Sequence, residues 1–165
     1  MIVAVRDVRF ADIPAIVALL QDGHRRSIYA LDPRVAVDVR EVKRLLVQAI
    51  QRHGHTTGGG CWIQVAETDG RVTGVILGTL VRLYAIFTPL MATDVFWLAS
   101  EDVHPADPMK LMAGMIKWAK ASPDVAEIRC ATTGAIASEK KTGVLLERLG
   151  MEPFGEVWKM KVEAQ

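Results

Sequence analysis

Around residue 61 the hydrophobic period of this chain changes from helical to extended, which dictates a layered structure in which helices cover a sheet. Before that point Ile13, Ile16, Val17 and Leu20 recur at helical spacing behind Asp12 and Pro14. Val39, Val42, Leu46, Ala49 and Ile50 repeat the pattern behind Asp38, with Glu41 placed to complete a capping box. Beyond it, residues 61–67 and 72–82 flank Thr68-Asp69-Gly70-Arg71, a turn sequence that joins two antiparallel strands.

The remaining elements follow the same reading. Residues 2–6 predict a short strand and residues 93–100 a largely buried one. Asp107-Pro108 opens a helix carrying Leu111, Met112, Met115, Ile116 and Ala119, which Ser122-Pro123 stops. A strand over 125–132, a helix over 138–149 closed by Gly150, and a final strand over 154–162 complete the order. Nothing in the pattern divides the chain, so residues 1–165 predict one domain, long enough to bury roughly two thirds of its unfolded surface.

Twenty Lys and Arg against nineteen Asp and Glu leave a net charge of +1, which gives no long-range attraction for nucleic acid or anionic membrane. The opening residues are too brief for a signal segment and no apolar run reaches the ~18 residues of a span, so the expected location is the cytoplasm. Cys61 and Cys130 each sit in an apolar run, as small hydrophobes rather than as a disulfide. His53 and His55 flank a glycine, but nothing gathers them with His24 or His104, and no metal is predicted. Gly58-Gly59-Gly60 leads into a strand, not a helix, and reads as a hinge in a mobile loop over 53–60. Trp62, Trp97, Trp118 and Trp158 fall within predicted elements and read as packing residues. The 50% apolar composition makes a homodimer plausible.

The order strand, two helices, three strands, helix, strand, helix, strand resembles the GNAT superfamily of N-acetyltransferases. Residues 145–155, Leu-Leu-Glu-Arg-Leu-Gly-Met-Glu-Pro-Phe-Gly, are similar to that family's "L-Y-E-R-L-G-F-x-x-x-G" ending. Val3 and Arg6 with Ala11-Asp12-Ile13-Pro14 resemble its opening, in the manner of small bacterial and phage members. The resemblance implies an α/β (α+β) fold with a mixed, mainly antiparallel central sheet flanked by helices on both faces. It also implies acyl transfer from acetyl-CoA, bound where two central strands splay apart, to a primary amine on a small molecule or protein.

The residues that the resemblance assigns depart from its pattern in places. The pyrophosphate loop, Arg/Gln-x-x-Gly-x-Gly/Ala in the family, falls on His104-Pro105-Ala106-Asp107-Pro108-Met109; two prolines offer no N–H and Asp107 brings a carboxylate to a phosphate site. Lys110 is the nearby cation, and Lys140-Lys141 could also reach phosphates. Leu98, Ala99 and Ser100 stand where a bulge would free an amide for the oxyanion and where the pantetheine arm would pair. The catalytic candidates are Glu67, Asp94 and Ser100, with Glu101, Asp102 and His104 also open as the general base. Leu146 stands where the family carries a tyrosine acid; a thiol of pKa near ~8.5 still leaves without it. Acceptor contacts are expected from residues 27–37 and 84–91. The altered loop and Leu146 also fit a second reading, a GNAT-fold binding protein without coenzyme A chemistry.

Overall fold

A computed structural model describes residues 1–132, 134–136 and 138–163. Five strands form one sheet in the order β1 (Val3–Asp7), β2 (Cys61–Thr68), β3 (Arg71–Arg82), β4 (Leu90–Ala99) and β5 (Val125–Arg129). All neighbours are antiparallel except β4 and β5, which are parallel, as a connection through a helix requires. The β2–β3 turn forms as its sequence predicts, with Asp69 at φ 48° and Gly70 at φ 78°.

The four α-helices of the described residues divide between the two faces. On one, α1 (Ile13–Arg26) and α2 (Val39–Gln51) lay Ile16, Val17, Leu19, Leu46 and Ala49 on Ile63, Val65, Val75 and Leu77. On the other, α3 (Asp107–Ala121) and α4 (Glu139–Arg148) set Leu111, Met112, Met115 and Leu146 against Ala66, Ile76, Leu80 and Ala92. The alternation along β2 and β3 serves both layers, so the middle of β3 is buried on both faces and β2 is buried or half-buried throughout. Asp38 caps α2 by accepting from the Glu41 amide at 3.0 Å, while Glu41 turns its own carboxylate to Arg44, leaving the capping box half made. Helix α4 ends in a Schellman pair, Met151 N–H to the Leu146 carbonyl and Gly150 N–H to that of Glu147, with Gly150 at φ 85°.

Three expectations change. The segment 53–60 is pinned rather than mobile: Gly59 N–H donates to the Leu80 carbonyl, Trp118 Nε1 to that of His55 at 3.1 Å and Ser122 Oγ to that of Thr56 at 2.7 Å. Gly60 admits no side chain, since a Cβ there would stand 2.1 Å from the His55 carbonyl oxygen. Residues 154–162 join no sheet. Phe154 stacks on Arg129, the last residue of β5, and the tail runs on to Tyr29, under Lys159, and to Arg34, which donates to the Val162 carbonyl at 2.7 Å. The tail therefore leaves the sheet where it would have had to turn back along it, and Trp158 is exposed rather than packed. No helix of the described residues is long and apolar enough to cross a membrane.

Candidate active site

Strands β4 and β5 pair over four residues only, from Leu90 with Val125 to Thr93 with Arg129. Beyond Thr93 they part, and on that side the β4 edge from Asp94 to Ala99 has no strand of the described residues beside it. At the fork, β4 also breaks register with β3: Leu77 pairs Phe96 and Gly78 pairs Asp94, so Val95 is an extra residue. Such a bulge turns a backbone amide out of the ladder, and Val95 is exposed. The close approach of α3 accompanies it, since a Cβ on Gly78 would lie 2.5 Å from the Met115 sulfur.

Asp94 and Cys130 face each other at this fork. Burial raises the Asp94 carboxyl above the ordinary carboxylate range, opposed by its own amide, the Ala131 amide and the Cys130 thiol. Burial first, and then the Asp94 charge, pushes the Cys130 thiol up to about 12, so it is a small apolar neighbour with no thiolate character. The Cys61 thiol is raised by burial too. One wall of the fork is closed by Leu98 and Ile136, whose δ carbons converge on Gly23 of α1. The Ile28 amide donates to the Ala135 carbonyl at 2.9 Å, joining the segment after α1 to the segment after β5.

The other sequence candidates are placed less evenly. Glu67 lies on β2, two strands away from β4, held by Arg6 at 2.6 Å, and is removed from the fork; a base cannot act from there. The bulge stands at Val95, three residues before Leu98, so Leu98, Ala99 and Ser100 do not supply the freed amide. The Ala99 carbonyl already accepts from Arg26 at 3.0 Å. The Ser100 amide donates to the Thr73 carbonyl at 2.8 Å and its hydroxyl to Asp102 at 2.5 Å, and Asp102 is held in turn by Arg71, which makes Ser100 a strand-end tie rather than a nucleophile. Leu146 is buried against α3, so this position is part of the core. Residues 27–37 flank the open end of the fork, whereas residues 84–91 lie at its paired end, where Tyr84 stacks on Arg129.

At the head of α3 the Asp107 side chain has no exposed surface. One oxygen accepts from Lys110 at 2.9 Å, the other has no partner, and His104 Nδ1 is 3.9 Å away and takes the Ala106 amide. A buried carboxylate at the helix N-terminus already uses the positive end of the dipole and the nearest cation. The β4 edge fits a pantetheine arm; the head of α3, with Asp107 in place and no amide on Pro108, does not fit a diphosphate. A cavity of about 500 Å³ between α1 and the β2–β3 turn is lined by Arg6, Asp12, Asp22 and Arg71, whose charges are paired with one another or with Glu67, Arg26 and Asp102. Among the described residues no group of His, Cys, Asp and Glu could hold a metal ion.

Similarity to known proteins is structural. The chain superposes on glucosamine-6-phosphate N-acetyltransferase from Arabidopsis thaliana with a TM-score of 0.68 at 11% identity, over 99% of this chain and 100% of that one. It superposes on ribosomal-protein-alanine N-acetyltransferase from Brucella melitensis at 0.65 and 11%, over 98% and 100%. A Bacillus halodurans protein described as a transcriptional regulator matches at 0.67 and 17%, again over 98% and 100%. The fold is that of the GNAT acetyltransferases. No protein-family model and no curated protein matches the sequence. At these identities the likeness is one of architecture, and the third neighbour illustrates that one fold carries more than one role.

Proposed function

We propose that this chain is a cytoplasmic N-acyltransferase that moves an acetyl group from a coenzyme A thioester to a primary amine by direct attack. One observation carries the reading: the bulge at Val95 lies at the β4–β5 fork next to Asp94, so an outward amide and a carboxylate stand together beside the β4 edge that β5 leaves unpaired. The Val95 region supplies the oxyanion donor. Asp94 accepts the proton that the attacking nitrogen sheds, the carbon–sulfur bond breaks, and the thiolate leaves and is protonated by solvent, since Leu146 offers no acid. The raised Asp94 pKa suits a base that works nearer neutrality than a free carboxylate. The donor is gripped chiefly by its pantetheine arm, because Asp107 disfavours the diphosphate.

The second reading, a binding protein without acyl transfer, is favoured by the buried Asp107 and by Leu146. The two part in a thiol-release assay with generic primary amines, using acetyl-CoA and acetyl-pantetheine as donors. Turnover with both, and a kcat/KM for acetyl-CoA no more than about tenfold above that for the short donor, supports the enzyme. No thiol release from either donor, with neither raising the melting temperature at millimolar concentration, supports the binding protein.

A further inference from the structure

We propose that the cavity of about 500 Å³ between α1 and the β2–β3 turn is a binding site for a free amino acid with a short apolar side chain. Its lining includes neither Asp94 nor Val95, so it is not part of the fork. The wall carries two charges of each sign, Arg6 and Arg71 against Asp12 and Asp22. A plain anion entering it meets two carboxylates and a plain amine two guanidinium groups, so the lining favours a ligand that bears both signs. Between the charges α1 presents only the methyl groups of Ala15 and Ala18, beside Val72 of β3, a surface that suits a small aliphatic group.

The unspent bonding capacity of this wall lies on Arg71 and Asp22. Arg6 and Asp12 are taken up with each other, with Glu67 and with the Arg9 amide. Arg71 gives one nitrogen, Nη2, to Asp102, and its Nε and Nη1 make no hydrogen bond to the described residues. An incoming carboxylate is therefore accepted without breaking that pair. Asp22 holds Arg26 through Oδ2 at 2.8 Å, whereas Oδ1 has only Arg25 at 3.3 Å, and the Arg25 side chain is 67% exposed. An exposed pair of that length contributes little, so an ammonium group displaces it readily. Both groups are also tied to the end of β4. Arg26 reaches from Asp22 to the Ala99 carbonyl at 3.0 Å, and Asp102 joins Arg71 to the Ser100 hydroxyl, which lies in the cavity wall. A ligand held by Asp22 and Arg71 thus closes a ring around the end of the strand that forms one side of the fork.

Calorimetry and thermal melting of the full chain with L-leucine, with no thioester present, test the site. L-leucine at about 10 mM is expected to bind and to raise the melting temperature. L-leucinamide, which keeps only the cation, and 4-methylpentanoate, which keeps only the anion, should each bind at least about tenfold more weakly. Arg71→Ala and Ala18→Leu, both at exposed positions, should lower the affinity for L-leucine by at least about tenfold and melt close to the parent in its absence. No heat and no melting shift with L-leucine overturns the proposal, as does equal binding of the two single-charge analogues. Unchanged L-leucine binding in Arg71→Ala overturns it too, since the amino acid would then sit elsewhere, for example where the acyl acceptor enters the fork. None of these readouts depends on acyl transfer, so the catalytic reading can fail while this one stands.

Discussion

Asp94 and Cys130 are the first residues beyond the last β4–β5 rung, and their carboxyl and thiol face each other where the strands separate. Burial raises the proton affinity of both, although the Cys130 thiol itself opposes the rise at Asp94. The same burial that silences the thiol makes the carboxylate a better base.

That relationship fixes a pH dependence. Below its raised pKa Asp94 is protonated and cannot accept a proton, so kcat/KM should rise with pH along a limb lying above the ~3.9 of a free aspartate. Asp94→Asn should lower kcat by at least about 100-fold and remove that limb. Its stability acts with the opposite sign: a raised carboxyl favours folding at low pH and loses that contribution as pH rises, so Asp94→Asn should melt no lower than the parent at pH 7. An unchanged kcat would remove Asp94 from the base position.

Asp107→Asn tests the misfit at the head of α3. Neutralising the carboxylate releases Lys110, which is half exposed and needs no buried partner. Acetyl-CoA should bind about tenfold more tightly, equivalent to ~1.4 kcal/mol, while acetyl-pantetheine should be unaffected. Calorimetry with both donors checks it, and equal gains would place the effect elsewhere than at the diphosphate.

Leu146 is expected to respond as a core residue. Leu146→Ala should cost about 2–5 kcal/mol through the cavity left against α3. Leu146→Tyr should cost about 1–3 kcal/mol by overpacking. A tyrosine variant as stable as the parent, and faster in turnover, would mean that this position opens to the fork after all; chemical denaturation and the thiol-release assay decide it.

Arg6 anchors the opposite sheet edge. Its guanidinium donates to both oxygens of Asp12 at 2.8 and 2.9 Å and to Glu67 at 2.8 Å, and Asp12 also accepts the Arg9 amide at 2.7 Å. These bonds, Arg6 first, hold the Asp12 carboxyl below its ordinary range. Its contribution is complete above the unfolded pKa and is lost as pH falls through the folded one. Arg6→Ala should therefore cost about 1–3 kcal/mol at pH 7 and progressively less below about pH 4, measured by urea denaturation.

Most of the sheet was legible because its signals are local. Asp69-Gly70 needs two positive φ angles, Asp38 supplies an oxygen to a helix start, and the parity of residues 61–82 leaves one register. The active-site bulge was not, because Val95 follows from the pairing of Leu77 with Phe96 and of Gly78 with Asp94, which no short pattern encodes. Glu67 illustrates the same gap: a carboxylate at a strand end reads as free until its neighbour across the sheet, Arg6, is known. The tail was read as a final strand over 154–162, and the structure forms none there, since periodicity describes a face without saying what covers it.

The bond from Ile28 to Ala135 couples two events that are usually considered apart. On the proposed function, a donor that entered beside β4 would press on the segment carrying Ala135, and through this bond on the segment after α1. Occupation of the slot then alters the doorway through which the amine arrives. On the proposed function, thioester before amine is the order expected, carried by one main-chain contact between residues more than a hundred positions apart.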